Sequence, residues 1–259
     1  MRLALIVEYE GTDYHGFQYQ VNAPSIQKEL ETAIERLTRE EVRVKGAGRT
    51  DVGVHAMGQV VAFDTESALG PERFMSGLNF FLPEDIAVRA AYAVGEDFHP
   101  RRDALSRRYC YTILNSAAPS PLFRRTSYMM RVSLDVRRMQ KAVNLLVGKH
   151  DFGSFTGPSG DGRGNTMGQI FDASVRRERA IVTFDVKARA FLPHQVRRMV
   201  GSLVNIGLGS LTLEEFKLMI DGRSGQAAVS CLPPQGLCLM EVSYADFPPR
   251  VGESDGHKH

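Results

Sequence analysis

The chain has 259 residues, enough for one large domain or two ordinary ones, with 43% hydrophobic residues, 24% charged residues and a net charge of +2. No window approaches the roughly 20 uninterrupted apolar residues of a membrane-spanning helix. Cys110, Cys231 and Cys238 are too few and too unevenly spaced for a disulfide framework or a Cys-x-x-Cys metal site, which leaves a cytoplasmic globular protein as the expectation.

The first eight residues lack the long apolar core of a signal peptide and read as a strand over 3–9. Ser25 then stands as N-cap of a helix with Ile26, Leu30, Ala33, Ile34 and Leu37 on its apolar face. Strands are predicted over 42–45 and 59–64, on either side of a glycine-punctuated turn. A helix over 71–81 and a strand over 86–94 follow. Next come a strand over 109–115 and a helix capped by Asp135, with Val136, Met139, Val143, Leu146 and Val147 as its buried stripe. Strands over 173–177 and 180–188 lead to a helix over 194–206, where Val196, Met199, Val200, Leu203 and Val204 share one side. Thr212 and Glu215 form a capping box for another helix, and 237–244 is the last strand.

Strands and helices alternate in both halves, which makes the fold class α+β, with two ferredoxin-like halves whose sheets join. The halves are expected at 1–106 and 107–247. The segment 156–165 is too glycine-rich to pack and is expected to be a mobile loop, and the polar tail 248–259 to be disordered.

Familiar phosphate-loop chemistries fail here. Gly46 and Gly48 are followed by Asp51 where a dinucleotide fingerprint needs its third glycine. Gly48 and Gly53 have phosphate-loop spacing, but Val54-His55 replaces the lysine and hydroxyl. No Gly-x-Ser-x-Gly elbow is present. The histidines at 15, 55, 99, 150 and 194 show no paired ligand spacing, so no metal is expected and packing is their default role.

What remains is the turn Gly46-Ala47-Gly48-Arg49-Thr50-Asp51-Val52-Gly53-Val54-His55-Ala56. Its glycines allow a tight path that lifts Asp51 toward a ligand, and Thr50 is placed to fix the turn by a local hydrogen bond. A carboxylate held ionised by a guanidinium serves as nucleophile or electrostatic stabiliser, which suits chemistry at an anomeric carbon. On spacing alone, a polar surface hairpin with an Arg/Asp pair accounts for the turn better. Arg supplies 25 of the 32 basic residues, many of them paired: Arg101-Arg102, Arg107-Arg108, Arg124-Arg125, Arg197-Arg198. Gathered on one face these would make a basic stripe for nucleic acid; codon bias gives the same pairs.

The segment Gly48-Arg49-Thr50-Asp51-Val52-Gly53-Val54-His55-Ala56 resembles the active-site signature of the tRNA pseudouridine synthase A family. Similar segments follow in order through nearly the whole chain. Among them are Tyr9-Glu10-Gly11-Thr12-Asp13-Tyr14-His15-Gly16-Phe17-Gln18, Arg107-Arg108-Tyr109-Cys110-Tyr111, and Phe191-Leu192-Pro193-His194-Gln195-Val196-Arg197.

The resemblance implies isomerisation of uridine to pseudouridine in the tRNA anticodon stem-loop, at positions 38, 39 and 40 in tRNA numbering. The N1–C1′ bond breaks, the uracil turns, and C5 bonds to C1′ without cofactor or metal. Asp51 then carries the chemistry, by attack at C1′, addition at C6 or assistance to elimination at C2′. Tyr109 packs on the target base and relays a proton, Arg197 pairs with the carboxylate, and Arg49 helps displace the nucleotide. Arg101, Arg107, Arg108 and Arg124 are candidates for RNA phosphates. The implied architecture is one continuous mixed, mainly antiparallel sheet with helices on one face and a central cleft, acting as a homodimer. Gly168 stands where the family often has arginine, a charge Arg163 could replace, and Phe17 where relatives carry tryptophan. Two other readings fit the same scaffold: a non-catalytic RNA-binding module, and a nucleoside hydrolase. The first gains nothing from a carboxylate facing phosphates, and the second lacks an evident partner for Asp51.

Overall fold

The computed structural model describes residues 1–156, 165–221 and 230–248. Within them, strands β1 (Arg2–Tyr9), β2 (Lys45–Gly46), β3 (His55–Asp64) and β4 (Ile86–Val94) alternate with helices α1 (Ile26–Thr38) and α2 (Pro71–Phe81). Strands β5 (Ser106–Asn115) and β6 (Tyr128–Met130) follow, then helix α3 (Val136–Val143) and strands β7 (Gly148–Asp151), β8 (Met167–Glu178) and β9 (Ile181–Ala188). Helices α4 (Gln195–Leu208) and α5 (Leu213–Ile220) and strand β10 (Leu237–Ser243) complete the order.

All the described strands lie in one mixed α/β sheet, ordered β4-β1-β3-β10-β5-β9-β8-β7, with β2 on β3 and β6 on β5. Its pairings are antiparallel except β3 with β10 and β5 with β6. The last strand is therefore inserted at the middle, joining the early strands to the late ones.

Alternation along the strands explains how the faces are used. Tyr111 and Ile113 on β5 sit opposite Phe184 and Val182 on β9, and this face packs under α3, α4 and α5. The alternate residues Arg108, Cys110 and Thr112 face the other way, opposite Lys187, Asp185 and Thr183. In β1 and β3 both alternations are buried. Phe63 meets Phe74 of α2 at 5.9 Å between ring centroids, while on β4 Tyr92 meets Phe247 at 5.3 Å.

Local signals hold at most element ends. Asp135 Oδ1 accepts the Arg138 amide, and Thr212 and Glu215 make the full capping box. Four expectations need correction. Ser25 occupies the N-cap of α1, but its buried hydroxyl makes no cap bond, because the first helical amides reach the Gly16 and Phe17 carbonyls instead. The strand expected over 42–45 shrinks to Lys45–Gly46. Glu31 accepts the Val44 amide and Gln27 donates to its carbonyl, so helix side chains satisfy backbone that a strand would have paired. Val147 is exposed, because α3 ends in a 3-10 turn over Asn144–Leu146 and Val147 has already left the helix for extended backbone at φ −69° and ψ 130°. Strands β6 and β7, three and four residues long, were missed altogether. The glycine-rich loop and the tail expected beyond 248 fall outside the described residues, apart from the loop's two ends.

Candidate active site

Asp51 lies between β2 and β3, in a stretch anchored almost residue by residue. The Ala47 amide donates to Val60 O (2.8 Å), Gln59 Nε2 to Gly48 O (2.9 Å), and the Phe17 amide to Thr50 O (3.1 Å). Gly53 takes φ +73°, the left-handed region that favours glycine, and Gly46 leaves room for the Phe17 ring. Gly48 meets no such demand. Thr50 does not bond locally: its hydroxyl meets the Tyr9 hydroxyl of β1 at 2.8 Å, buried within the core. His55 accepts the Gly11 amide at Nδ1 (3.0 Å), so Nε2 carries the proton and donates to Arg125 O (2.8 Å) and Gln235 O (3.1 Å).

A Cβ at Gly11 would stand 2.1 Å from Val54 O, backbone that has nowhere to go. Gly11→Ala is expected to destabilise the protein by about 1–3 kcal/mol, read as a lower urea midpoint. A midpoint matching wild type would show that this loop contact yields freely.

Helix α4 supplies the opposing wall. Leu192 N–H donates to Gln195 Oε1 (2.7 Å) and Gln195 N–H to Leu192 O (3.1 Å), closing a tight turn with His194 at φ 58°. His194 Nδ1 lies 2.9 Å from Asp51 Oδ2. The same Nδ1 lies 3.4 Å from Arg197 Nη1, so the imidazole edge sits between the carboxylate and the guanidinium. Arg197, nearly a turn further on, brings Nη1 to 3.5 Å from the same oxygen while its Nε donates to Leu232 O at 2.6 Å. Arg197 is only 14% exposed, so its charge acts through little solvent.

These groups line a cavity of about 420 Å³, within the size range of small-molecule sites. Tyr109 forms another wall, its ring edge-on to Phe191 at 5.3 Å. Burial, reinforced by the Asp51 charge, pushes the Tyr109 phenol well above its ordinary value. It therefore remains a proton donor through neutral pH.

The fold thus brings Asp51, Tyr109, Arg49 and Arg197 to one cavity. Arg49 is exposed on its wall, and Arg101 joins it there. A smaller depression of about 190 Å³ shares Gly48, Arg49 and Arg101 and adds Lys45, extending the basic surface. Arg107 also faces the cavity, but its guanidinium donates to the carbonyls of Arg189 (2.8 Å), Ala47 (2.8 Å) and Arg101 (2.9 Å), bracing the Asp51 loop. Arg108 points to the opposite sheet face, paired with Asp185 at 2.9 Å, and Arg124 is exposed outside the cavity. Gly168 sits against Phe152, whose ring a Cβ would meet at 2.9 Å; Arg163 lies outside the described residues.

Sequence reasoning missed His194, the nearest partner of Asp51. The only signal was its place at the start of a helix one turn before Arg197. Among the described residues, no three His, Cys, Asp or Glu side chains gather as a metal site would require, and no helix is long and apolar enough to cross a membrane.

A family model described as tRNA pseudouridine synthase matches residues 5–103 and 142–245. A tRNA pseudouridine synthase A of Acetivibrio thermocellus is 42% identical over 240 residues, spanning 93% of this chain and 98% of the relative. Proteins of the same name from Geotalea uraniireducens and Myxococcus xanthus are 40% and 42% identical, over 94% and 96% of this chain and 99% and 94% of their own lengths.

Proposed function

Since the chain belongs to the tRNA pseudouridine synthase family, and is an isomerase making pseudouridine in tRNA, we propose that Asp51 carries this chemistry on uridines 38, 39 and 40 of the anticodon stem-loop. The observation behind this reading is the meeting of Asp51 on its anchored loop with His194 and Arg197 from α4, in a cavity walled by Tyr109.

Each group has work that its chemistry suits. The target uridine leaves its stack at a cost of a few kcal/mol, and Arg49, exposed at the wall, occupies the vacated space. Tyr109 offers a flat face to the uracil and a phenol that stays protonated, so it steadies the base and passes a proton as C5 replaces N1 at C1′. Asp51 supplies the negative charge next to a ribose carbon that turns electron-poor as the glycosidic bond breaks. Arg197, shielded from water, stands as the counter-charge of that carboxylate. No cofactor is needed, since the reaction exchanges one bond to C1′ for another.

Arg101 and Lys45 extend the cavity's basic rim for RNA phosphates. The same reading divides the chain into halves at 106/107, with the enzyme acting as a homodimer in the cytoplasm. Unmodified tRNA carrying tritium at uridine C5 tests the proposal: the label is expected in water, and pseudouridine at 38–40 in the product. Free uracil would identify a hydrolase instead. Retained label with bound tRNA would leave a binding module.

A further inference from the structure

We propose that Arg107 is a positioning residue for the reaction, spacing the loop that carries Asp51 from the segment that leads into α4 rather than gripping RNA; this rests on Asp51 as the reacting group. Arg107 and Tyr109 stand two apart on β5, on the same side of the sheet, where β5 lies between β10 and β9. From there the guanidinium donates to carbonyls on three separate stretches of chain. Nη2 donates to Ala47 O at 2.8 Å and to Arg101 O at 2.9 Å, and Nη1 to Arg189 O at 2.8 Å. Ala47 begins the Asp51 loop. Arg189 follows β9 on the way to Phe191 and His194, and Arg101 belongs to the basic rim.

Each of these stretches is also fastened elsewhere. The Ala47 amide donates to Val60 O (2.8 Å), the Arg189 amide to Gln169 O (3.3 Å), and the Arg101 amide to His99 Nδ1 (3.2 Å). Arg107 therefore does not build the segments; it sets how far apart they stand. The task suits arginine, whose N–H groups lie in a rigid plane and reach acceptors on different sides at once. Both N–H groups of Nη2 are spent on backbone carbonyls, so this fork reads the chain itself and not a phosphate. Burial pulls the guanidinium below the ordinary arginine value, and among the described residues no carboxylate pairs with it. The two walls it spaces are those on which Asp51 and Arg197 face each other, and a misplacement of about 1 Å between reacting groups costs up to roughly 100-fold in rate.

Arg107→Lys keeps the positive charge and loses the fork. It is expected to lower kcat for pseudouridine formation roughly 10- to 100-fold, while tRNA Kd and its salt dependence stay at wild-type values. A phosphate contact behaves in the opposite way. Lysine would serve there, and losing the contact would weaken binding and flatten the slope of log Kd against log salt by about 1. In Arg107→Ala, guanidinium ion at fixed ionic strength is expected to restore part of kcat, and ammonium to leave it low. Wild-type kcat in Arg107→Lys would overturn the proposal. So would a loss confined to Kd, equal rescue by the two cations, or no rescue of an Arg107→Ala protein that its urea midpoint shows to be folded. Where Arg107→Ala fails to fold, Arg107→Lys still decides the matter. Asp51→Ala, assayed alongside, distinguishes the two levels: turnover in that variant removes the premise. An inert Asp51→Ala beside an unimpaired Arg107→Lys removes this inference alone.

Discussion

Asp51→Asn is expected to reduce pseudouridine formation by roughly 10⁴-fold or more while the protein stays folded and still binds tRNA, as removal of a reacting group does in other enzymes. The amide has nearly the shape of the carboxylate, and Asp51 is partly exposed, so little packing is disturbed. What vanishes is the negative charge toward which His194 Nδ1 and Arg197 Nη1 both converge. The basic rim proposed to hold RNA, made by Arg49, Arg101 and Lys45, keeps its charge. Tritium release from uridine C5 measures the rate, and filter retention of labelled tRNA measures binding. Ordinary turnover by Asp51→Asn would refute the role assigned to the carboxylate.

Replacing Arg197 comes next in size. Its planar fork performs two tasks at once, Nε on the Leu232 carbonyl and Nη1 beside Asp51. A lysine ammonium donates from a single nitrogen and cannot reproduce the two separated donors of the fork. Arg197→Lys is expected to lower kcat by about 10²–10³-fold, the scale for losing one preorganised electrostatic partner. Arg197→Met should fall at least as far. It should also destabilise the protein by about 1–3 kcal/mol, since the Leu232 carbonyl loses its partner in a half-buried setting. Steady-state kinetics and urea midpoints read the two effects separately. Wild-type kcat in Arg197→Lys would show that a positive charge suffices and that the fork is dispensable.

Much of the architecture could be read from residue order because it depends on local period. The stripe Ile26, Leu30, Ala33, Ile34 forces a helix onto a core whatever lies opposite it, and all four are buried. The capping box at Thr212 and Glu215 likewise needs only its own four residues. Failures occurred where a distant group intervened. Glu31 and Gln27 took the backbone of Val44 away from a strand, and the Gly16 and Phe17 carbonyls relieved Ser25 of its capping task. Neither event leaves a trace in the neighbouring sequence.

The site divides along the same line. The order of residues alone determined an alternating α+β chain, a glycine-bent loop carrying Asp51, and a resemblance that singled out Tyr109, Arg49 and Arg197. Tertiary structure alone decided which groups meet. It drew Thr50 to Tyr9 across 41 residues, set Arg107 to bracing carbonyls, and turned Arg108 to the far face of the sheet through strict strand alternation. It also brought His194 to within 2.9 Å of Asp51 from 143 positions away, once β10 had joined the early strands to the late ones. Hydrogen bonds and ion pairs act over a few ångströms of space, and only the folded chain assigns those distances.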